Sequence, residues 1–470
     1  MKAQLAILVC LPLIIWLWRR DVQARPKFSR TFWIPIFWTL ILGSRPLSFW
    51  LGVGGGGGSD ALEGNWFDRS LYLGLIFVAI YILSTRGISW GTLIQQNKAL
   101  LLFYFFLLLT ILWAPFPFVV FKRWFKDIGG IFIVLLILTE KNPLEATKAL
   151  FARCAYVWFP LSEILAKYFP SIGREYGSSG AAQYSGVTSQ KNTLGSIILI
   201  AGLILVSELF QANRPLRGKP LKEGRFIGFL NGHHFTILIT LAMGLWLLYL
   251  CQSRTSQICF ILGTVIVLSY KIPVLKDNPR RVLFLSLIAV PIFYLGNALF
   301  GISDHLLALI GRNSSLTGRT EIWETVTKNP VNPMIGAGYM MYWDYTGGVE
   351  LRFKKVGLRT GHNGYLDTYL DGGVVGLFFL AVMLLGVGTR AAREFLTRSE
   401  YGRLVLAFFI VMLLNNIAES TYGRRSLLWF AFLLFALEFR GCLASRAHGE
   451  TYISEDSWIK EGEPVGAVGS

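Results

Sequence analysis

Runs of about 20 predominantly apolar residues recur along almost the whole chain, separated by short polar connections; that is the length an α-helix needs to cross a bilayer's hydrocarbon core. Candidate spans fall near residues 3–18, 31–51, 70–88, 99–118, 127–140, 148–166, 192–210, 235–251, 256–270, 282–300, 364–388, 403–419 and 425–440. Only 16% of the 470 residues are charged and 53% are hydrophobic, whereas a soluble domain carries about a quarter charged residues. The pattern predicts an all-α, polytopic integral membrane protein of about 12–13 transmembrane helices. It leaves no room for a large soluble domain. The expected organisation is N-terminal membrane helices over 1–300, one large structured loop over 301–363, C-terminal membrane helices over 364–440, and a short, polar, disordered cytoplasmic tail over 441–470. The run Leu5–Trp18 has the apolar character of a signal peptide but lacks a basic leader and a small-residue cleavage site. It reads as a retained first span, or as a segment lying along the interface.

The net charge is +17. In a soluble protein that would suggest nucleic acid, but here the basic residues sit mostly in short connections between spans. The preference of Lys and Arg for cytoplasmic loops is the simpler account. With alternating spans, the basic loops 19–30, 211–228, 271–281 and 389–402 fall on one side, which is therefore cytoplasmic. The other side receives the glycine-rich loop 52–69, the loop 167–191, the turn Cys251–Thr255 and the long loop 301–363. The five cysteines (Cys10, Cys154, Cys251, Cys259, Cys442) show neither metal nor disulfide spacing and read as small core residues.

Several cations sit on the side where they should be scarce. Lys122, Arg123 and Lys126 follow the fourth span, Arg174 and Lys191 bracket the loop before the seventh, and Arg254 lies in a very short turn. Arg312, Arg319, Arg352, Lys354, Lys355 and Arg359 lie in the long loop. Binding an anion there is a good reason for them, because guanidinium groups match phosphate oxygens two at a time. The plainer alternative is that long loops cross regardless of charge, which covers the 301–363 group. Arg123, Lys191 and Arg254, in short segments, are the stronger candidates.

The long loop reads as structured. Ser315 or Thr317 can cap a helix that opens at Thr317-Gly318-Arg319, and Arg319 would lie near its N-terminus, where backbone donors favour an anion. Asn332-Pro333 begins a turn, and Gly336 and Gly338 permit close backbone approach. Without a Rossmann strand or a third glycine, this G-x-G does not indicate dinucleotide binding. Tyr339, Tyr342, Trp343 and Tyr345 suit either stacking on sugar rings or an interfacial aromatic belt, the commoner use. The loop closes on Gly361-His362-Asn363-Gly364-Tyr365-Leu366-Asp367, at the entrance of the next apolar helix. A lone histidine is usually structural or merely exposed. This one stands between Arg359 and a membrane entrance, with Asn363 able to hold its ring, and nearby cations favour the neutral imidazole a general base needs. Asp367 and Asp371 fall one helical turn apart. Carboxylates inside a span are functional by default, although stabilising a helix start is a fair alternative. No D-x-D pair, H-E-x-x-H, Walker A sequence or Cys/His metal spacing appears, so no metal or cofactor is expected.

These residues resemble the O-antigen ligase and polymerase superfamily of bacterial envelope proteins, most closely its exopolysaccharide-production polymerase branch. The likeness runs from about residue 44 to 435. It rests on Ser44-Arg45-Pro46, Glu63-Gly64-Asn65 with Asp68-Arg69, Trp113 with Lys122-Arg123, Gly186 with Lys191-Asn192-Thr193-Leu194-Gly195, and Ser253-Arg254-Thr255. Its most specific part is Thr317-Gly318-Arg319, Trp323, Asn332-Pro333, Gly336-Ala337-Gly338-Tyr339 and His362-Asn363-Gly364-Tyr365-Leu366, followed by Asn416 and Glu419-Ser420. The resemblance implies a metal-independent membrane glycosyltransferase of GT-C-like architecture. Such enzymes take a glycan from a polyprenyl (undecaprenyl) diphosphate carrier at the periplasmic face of the inner membrane. Carried over by motif, His362 is the base that activates the acceptor hydroxyl and Arg319 holds phosphate, with Arg254 and Arg123 beside it. Lys191 and Arg359 join the diphosphate site, and Asn192, Asn363, Tyr339, Asp367 and Glu419 support it. The acceptor, a glycan or a lipid, stays open. A polysaccharide transporter or flippase, expected to show internal repeats and broken helices, is the rival class. A non-catalytic assembly subunit is the third reading.

Overall fold

The structure is a computed structural model that describes residues 2–53, 65–176, 182–211, 232–276, 278–288, 326, 331–345 and 360–443. These residues form an all-α bundle, in which the named strands are a short antiparallel hairpin, Arg174–Tyr176 with Ala182–Tyr184. Among them, six helices are long and apolar enough to cross a membrane: Trp66–Thr85, Pro143–Tyr168, Lys191–Gln211, His233–Cys251, Gly364–Leu396 and Glu400–Ala418. A seventh arises if Trp90–Gln96 and Lys98–Leu112, bent by 89°, form one broken span. The number is smaller than the 12–13 expected because other apolar runs form shorter or more charged helices. Arg30–Leu42 and Leu427–Ala436 are short. Arg254–Leu268 has 15 residues. Pro117–Leu138 carries Lys122, Arg123, Lys126 and Asp127 in its first half. The span expected at 282–300 is described only to residue 288, and the tail beyond 443 lies outside the described residues.

Lys191–Gln211 is the central rod. It is apolar on every side, which buries a helix rather than leaving it half exposed, and Leu194, Ile197–Ala201 and Leu203–Val206 are all buried. It packs on Pro143–Tyr168, His233–Cys251 and Arg254–Leu268. Trp66–Thr85 presents Phe77, Val78 and Tyr81 outward, exposed among the described residues.

The bundle has two chemically different ends. At one, Arg25 reaches Asp21 and Glu208 (both 2.6 Å), Arg153 reaches Asp21 (2.7 Å), and His233 meets Glu208 (2.9 Å). Lys148 and Ser207 both meet Glu400 there, and the Arg403 guanidinium lies 4.3 Å from the Tyr270 ring centre. The helix ends flanking all four basic connections therefore gather together, as the loop-charge argument expects. At the other end the same two helices, Lys191–Gln211 and Glu400–Ala418, meet again through Asn192 and Glu419 (2.7 Å). They are thus antiparallel and tied at both ends.

Gly364–Leu396 is not continuous. At Gly373 the backbone turns to φ 62°, ψ −156°. Residues 333–338 fill the break. Ala337 N and Gly338 N donate to the carbonyls of Leu370 and Asp371 (2.8 and 3.0 Å), while Val374 N and Val375 N donate to Pro333 and Met334 (2.8 and 3.1 Å). A break inside a low-dielectric bundle must have its freed backbone groups re-bonded, and this turn does so. Both strands of the contact need glycine. A Cβ on Gly373 would sit 2.3 Å from the Met334 backbone and one on Gly336 2.5 Å from Gly372 N, each at a positive φ. Gly373→Val is expected to cost several kcal/mol, on the order of 3. Thermal unfolding of the purified full chain should show it as a large loss of stability, or as failure to accumulate.

Candidate active site

The described part of the long loop is built into the bundle. Tyr339, Met341 and Tyr342 are almost wholly buried. Tyr339 N donates to Thr110 Oγ1 (3.0 Å) and Trp113 Nε1 to the Ile335 carbonyl (2.9 Å). The Tyr339 hydroxyl lies 2.6 Å from both Asp127 Oδ2 and the Gly423 carbonyl. Neither sugar stacking nor an interfacial belt fits a side chain so enclosed; Tyr339 is a strut between the loop, Pro117–Leu138 and the turn 419–426. Arg123 is committed to the same wall, holding the Met340 carbonyl and Asp344 (2.5 Å).

His362 stands where this wall meets the next helix. Its φ is +49°, a left-handed conformation that few non-glycine residues adopt and that often marks a functional position. The segment is held from both sides. Gly361 N donates to Asp367 (3.0 Å) and Asn363 N to Ser420 Oγ (3.1 Å). The sequence points to Asn363 as the residue that holds the imidazole, and the structure does not bear this out. The Asn363 side chain caps the helix instead, accepting from Tyr365 N and Leu366 N, both at 3.0 Å, because a short carboxamide ahead of a helix is best satisfied by those orphan donors. The ring partner is Glu419. Its Oε2 lies 3.4 Å from His362 Nδ1, while its Oε1 accepts from Asn192 Nδ2 at 2.7 Å. At 3.4 Å the contact is long for a hydrogen bond. His362 and Glu419 side chains remain 23% and 17% exposed, enough for a substrate to reach them.

Asn192 is placed by the start of the central helix, where Lys191 N donates to Glu175 of the hairpin (2.9 Å). Gly195 lets that helix approach the Ser253 turn, since a Cβ there would lie 2.6 Å from Ser253 and Ser256. Lys191 and the exposed Arg254 therefore share one corner with Asn192. Arg254 Nη1 donates to Gln257 Oε1 (3.0 Å), one helical turn on. Arg319, its capping residues Ser315 and Thr317, and Arg359 lie outside the described residues.

Asp367 and Asp371 point into the bundle and meet Arg424, at 3.5 and 3.0 Å; Asp367 also accepts from Trp343 Nε1 (3.0 Å). Arg424 is not among the candidate residues marked by the sequence. The rule that singled out Arg254 would have found it, because Arg424 and Arg425 also occupy a short turn on that side.

The molecule is thus an all-α polytopic membrane protein whose distinctive chemistry is a histidine–carboxylate pair at one end of the bundle, walled by an inserted loop. Residues 239–381 match the family described as O-antigen ligase. The segment contains Arg254, the inserted turn and His362, whereas Asn192, Glu419 and Arg424 lie beyond it. The chain is also similar to the exopolysaccharide production protein ExoQ of Rhizobium meliloti (strain 1021), 29% identical over 127 residues, 24% of this chain and 28% of that protein. The alignment thus spans less than a third of that relative's length. Both matches support the likeness to the O-antigen ligase and polymerase superfamily.

Proposed function

We propose that this protein is a membrane glycosyltransferase of polysaccharide assembly, moving or polymerising a glycan from a polyprenyl diphosphate carrier at the periplasmic face of the bacterial inner membrane. The observation that carries the reading is the His362–Glu419–Asn192 relay. Asn192 fixes one oxygen of Glu419, and the other faces Nδ1, leaving Nε2 to work as a base. In the reaction Nε2 takes the proton of an acceptor sugar hydroxyl. The hydroxyl oxygen attacks the anomeric carbon, and the bond from that carbon to the carrier diphosphate breaks in line. The diphosphate leaves with the electron pair. Glu419 stabilises the imidazolium that forms, as a carboxylate behind a histidine does in hydrolases. Lys191, Arg254, Arg319 and Arg359 are assigned to the leaving diphosphate, where preorganised cations have most effect. The ExoQ likeness favours exopolysaccharide as the product class.

Two measurements follow. Proteoliposomes supplied with carrier-linked oligosaccharide should yield either longer carrier-linked chains, from a polymerase, or glycan moved to a separate acceptor, from a ligase. Glu419→Gln keeps the shape but removes the charge, so kcat should fall about 100-fold or more, with carrier binding little changed; unchanged kcat would remove Glu419 from the relay.

The broken helix at Gly373 is the feature that would favour the transporter reading. The 333–338 turn satisfies that break, and the turn carries no charged side chain of its own. Carrier-linked glycan that crosses the bilayer without being joined to anything would support transport instead.

A further inference from the structure

We propose that the groove between helix Lys2–Ala24 and helix Pro143–Tyr168 binds an amine-headed phospholipid, with Glu163 taking the ammonium, Lys167 the phosphate, and the groove an acyl chain. The groove has a volume of about 390 Å³. Ala6, Cys10 and Leu13 of the first helix line one wall, Pro160 and Ile164 of the second line the other, and Met243 of His233–Cys251 also faces it. The three helices pack on one another. Pro160 stands in the interior of its helix, where it gives up a helical hydrogen bond and pushes the backbone aside. Ala6 and Cys10 opposite are small, so the two rods leave room between them. Leu5 and Val9 at the rim are each 62% exposed among the described residues. The groove therefore opens on the flank of the bundle, the side a bilayer covers.

Glu163 sets the chemistry. Its helix runs from the basic end, where Arg153 meets Asp21, to the hairpin whose Glu175 accepts from Lys191 N. Glu163 lies roughly 15 Å along the axis from Arg153, in the half nearer His362. It is half-buried, and the groove residues that face it from the first helix are all uncharged. The described cations on its own stretch are turned elsewhere. Arg174 Nε donates to the Ala166 carbonyl (2.6 Å), with its guanidinium 5.2 Å from the Tyr184 ring centre. The Lys167 ammonium lies 5.5 Å from the Tyr168 ring centre. Among the described residues, Glu163 makes no hydrogen bond or ion pair. A carboxyl group in apolar surroundings either takes a proton or draws a cation to it, and the lipid's ammonium is that cation. Lys167 identifies the rest of the head. It is exposed and stands one turn beyond Glu163 on the same helix face, where side chains start about 5–6 Å apart. An ammonium and a phosphate joined by an ethylene link span such a pair. A prenyl diphosphate has no ammonium to offer Glu163, which separates this groove from the carrier site.

The test is native mass spectrometry of the delipidated, detergent-purified full chain with dioleoyl phosphatidylethanolamine, phosphatidylcholine and phosphatidylglycerol. The ethanolamine lipid should bind roughly tenfold more tightly than the other two, the effect of one charge-assisted hydrogen bond. The choline head has no N–H to donate, and the glycerol head has no cation. Glu163→Gln keeps the shape and removes the charge, so it should bind the three lipids alike. Val9→Trp, at an exposed position, fills the groove from its rim and should lower binding of the ethanolamine lipid even if the Gln variant does not fold. Equal binding of the three lipids by the wild type overturns the proposal and marks a passive lipid-facing groove. An unchanged preference in Glu163→Gln overturns it too and marks a carboxyl that is already neutral. Geranylgeranyl diphosphate that binds more tightly than the ethanolamine lipid, and is lost in Val9→Trp, would make the groove part of the carrier site and overturns it as well. Binding here does not depend on transfer: His362→Ala should show the wild-type preference whatever its turnover.

Discussion

His362→Ala should abolish nearly all transfer while leaving the protein folded and able to bind its lipid carrier. A positioned general base contributes about 10²–10⁴-fold, so turnover should fall by that order in membranes supplied with lipid-linked glycan. The structural loss is small. The imidazole is partly exposed, and its contact with Glu419 is a long one, while the other oxygen of Glu419 stays with Asn192. Substitutions of this kind change stability by roughly 1 kcal/mol or less. Unchanged thermal unfolding combined with lost turnover would mark His362 as the base. Full activity of the variant would sink the assignment, and an unfolded variant would show that the strained backbone at φ +49° needs this side chain to hold it.

Arg424→Met should have the largest effect on stability. The side chain is 8% exposed and faces two carboxylates, Asp367 and Asp371, from separate guanidinium nitrogens. Deleting it leaves both acids buried without a counter-charge, and breaking a buried ion pair from one side costs about 3–5 kcal/mol. The loss should be local before it is global. Asp367 also holds Gly361 N and Trp343, so the inserted turn and the His362 segment should loosen first. Hydrogen exchange over 331–345 and 360–367 would report it, and turnover should fall with it. Arg424→Lys keeps the charge but not the planar fork, so it should be intermediate. Adding Asp367→Asn and Asp371→Asn to Arg424→Met removes the stranded charges and should recover much of the stability. If Arg424→Met behaves like wild type, the triad is not what holds the insert in place.

Loop charge alone grouped the four basic connections, and the structure brings their flanking helix ends to one end of the bundle. Apolar length alone marked where helices stand, because a chain this poor in charge has few other ways to bury its backbone. Both are local or additive properties, readable residue by residue. His362 was legible for the same reason, as a polar motif at the mouth of an apolar helix. The contact with its partner was not, although the family resemblance already placed Glu419 and Asn192 at the site. Glu419 is 57 residues away in sequence and Asn192 still further, and only the antiparallel pairing of Lys191–Gln211 with Glu400–Ala418 brings them together. The sequence suggested Asn363 as the residue holding the imidazole. Tertiary structure gave that position to Glu419, because Asn363 is closer to two unpaired backbone donors. The break at Gly373 escaped detection because its cause is remote: the apolar pattern runs straight through it, and the groups that replace its lost helical bonds come from a turn some 40 residues earlier. The sequence by itself determined the class, where most of the apolar helices stand, the grouping of the basic connections and the position of the histidine. Which carboxylate serves that histidine, and which arginine is buried to hold its segment, depended on long-range packing, where the partner of a polar group is whatever the fold leaves within three ångströms of it.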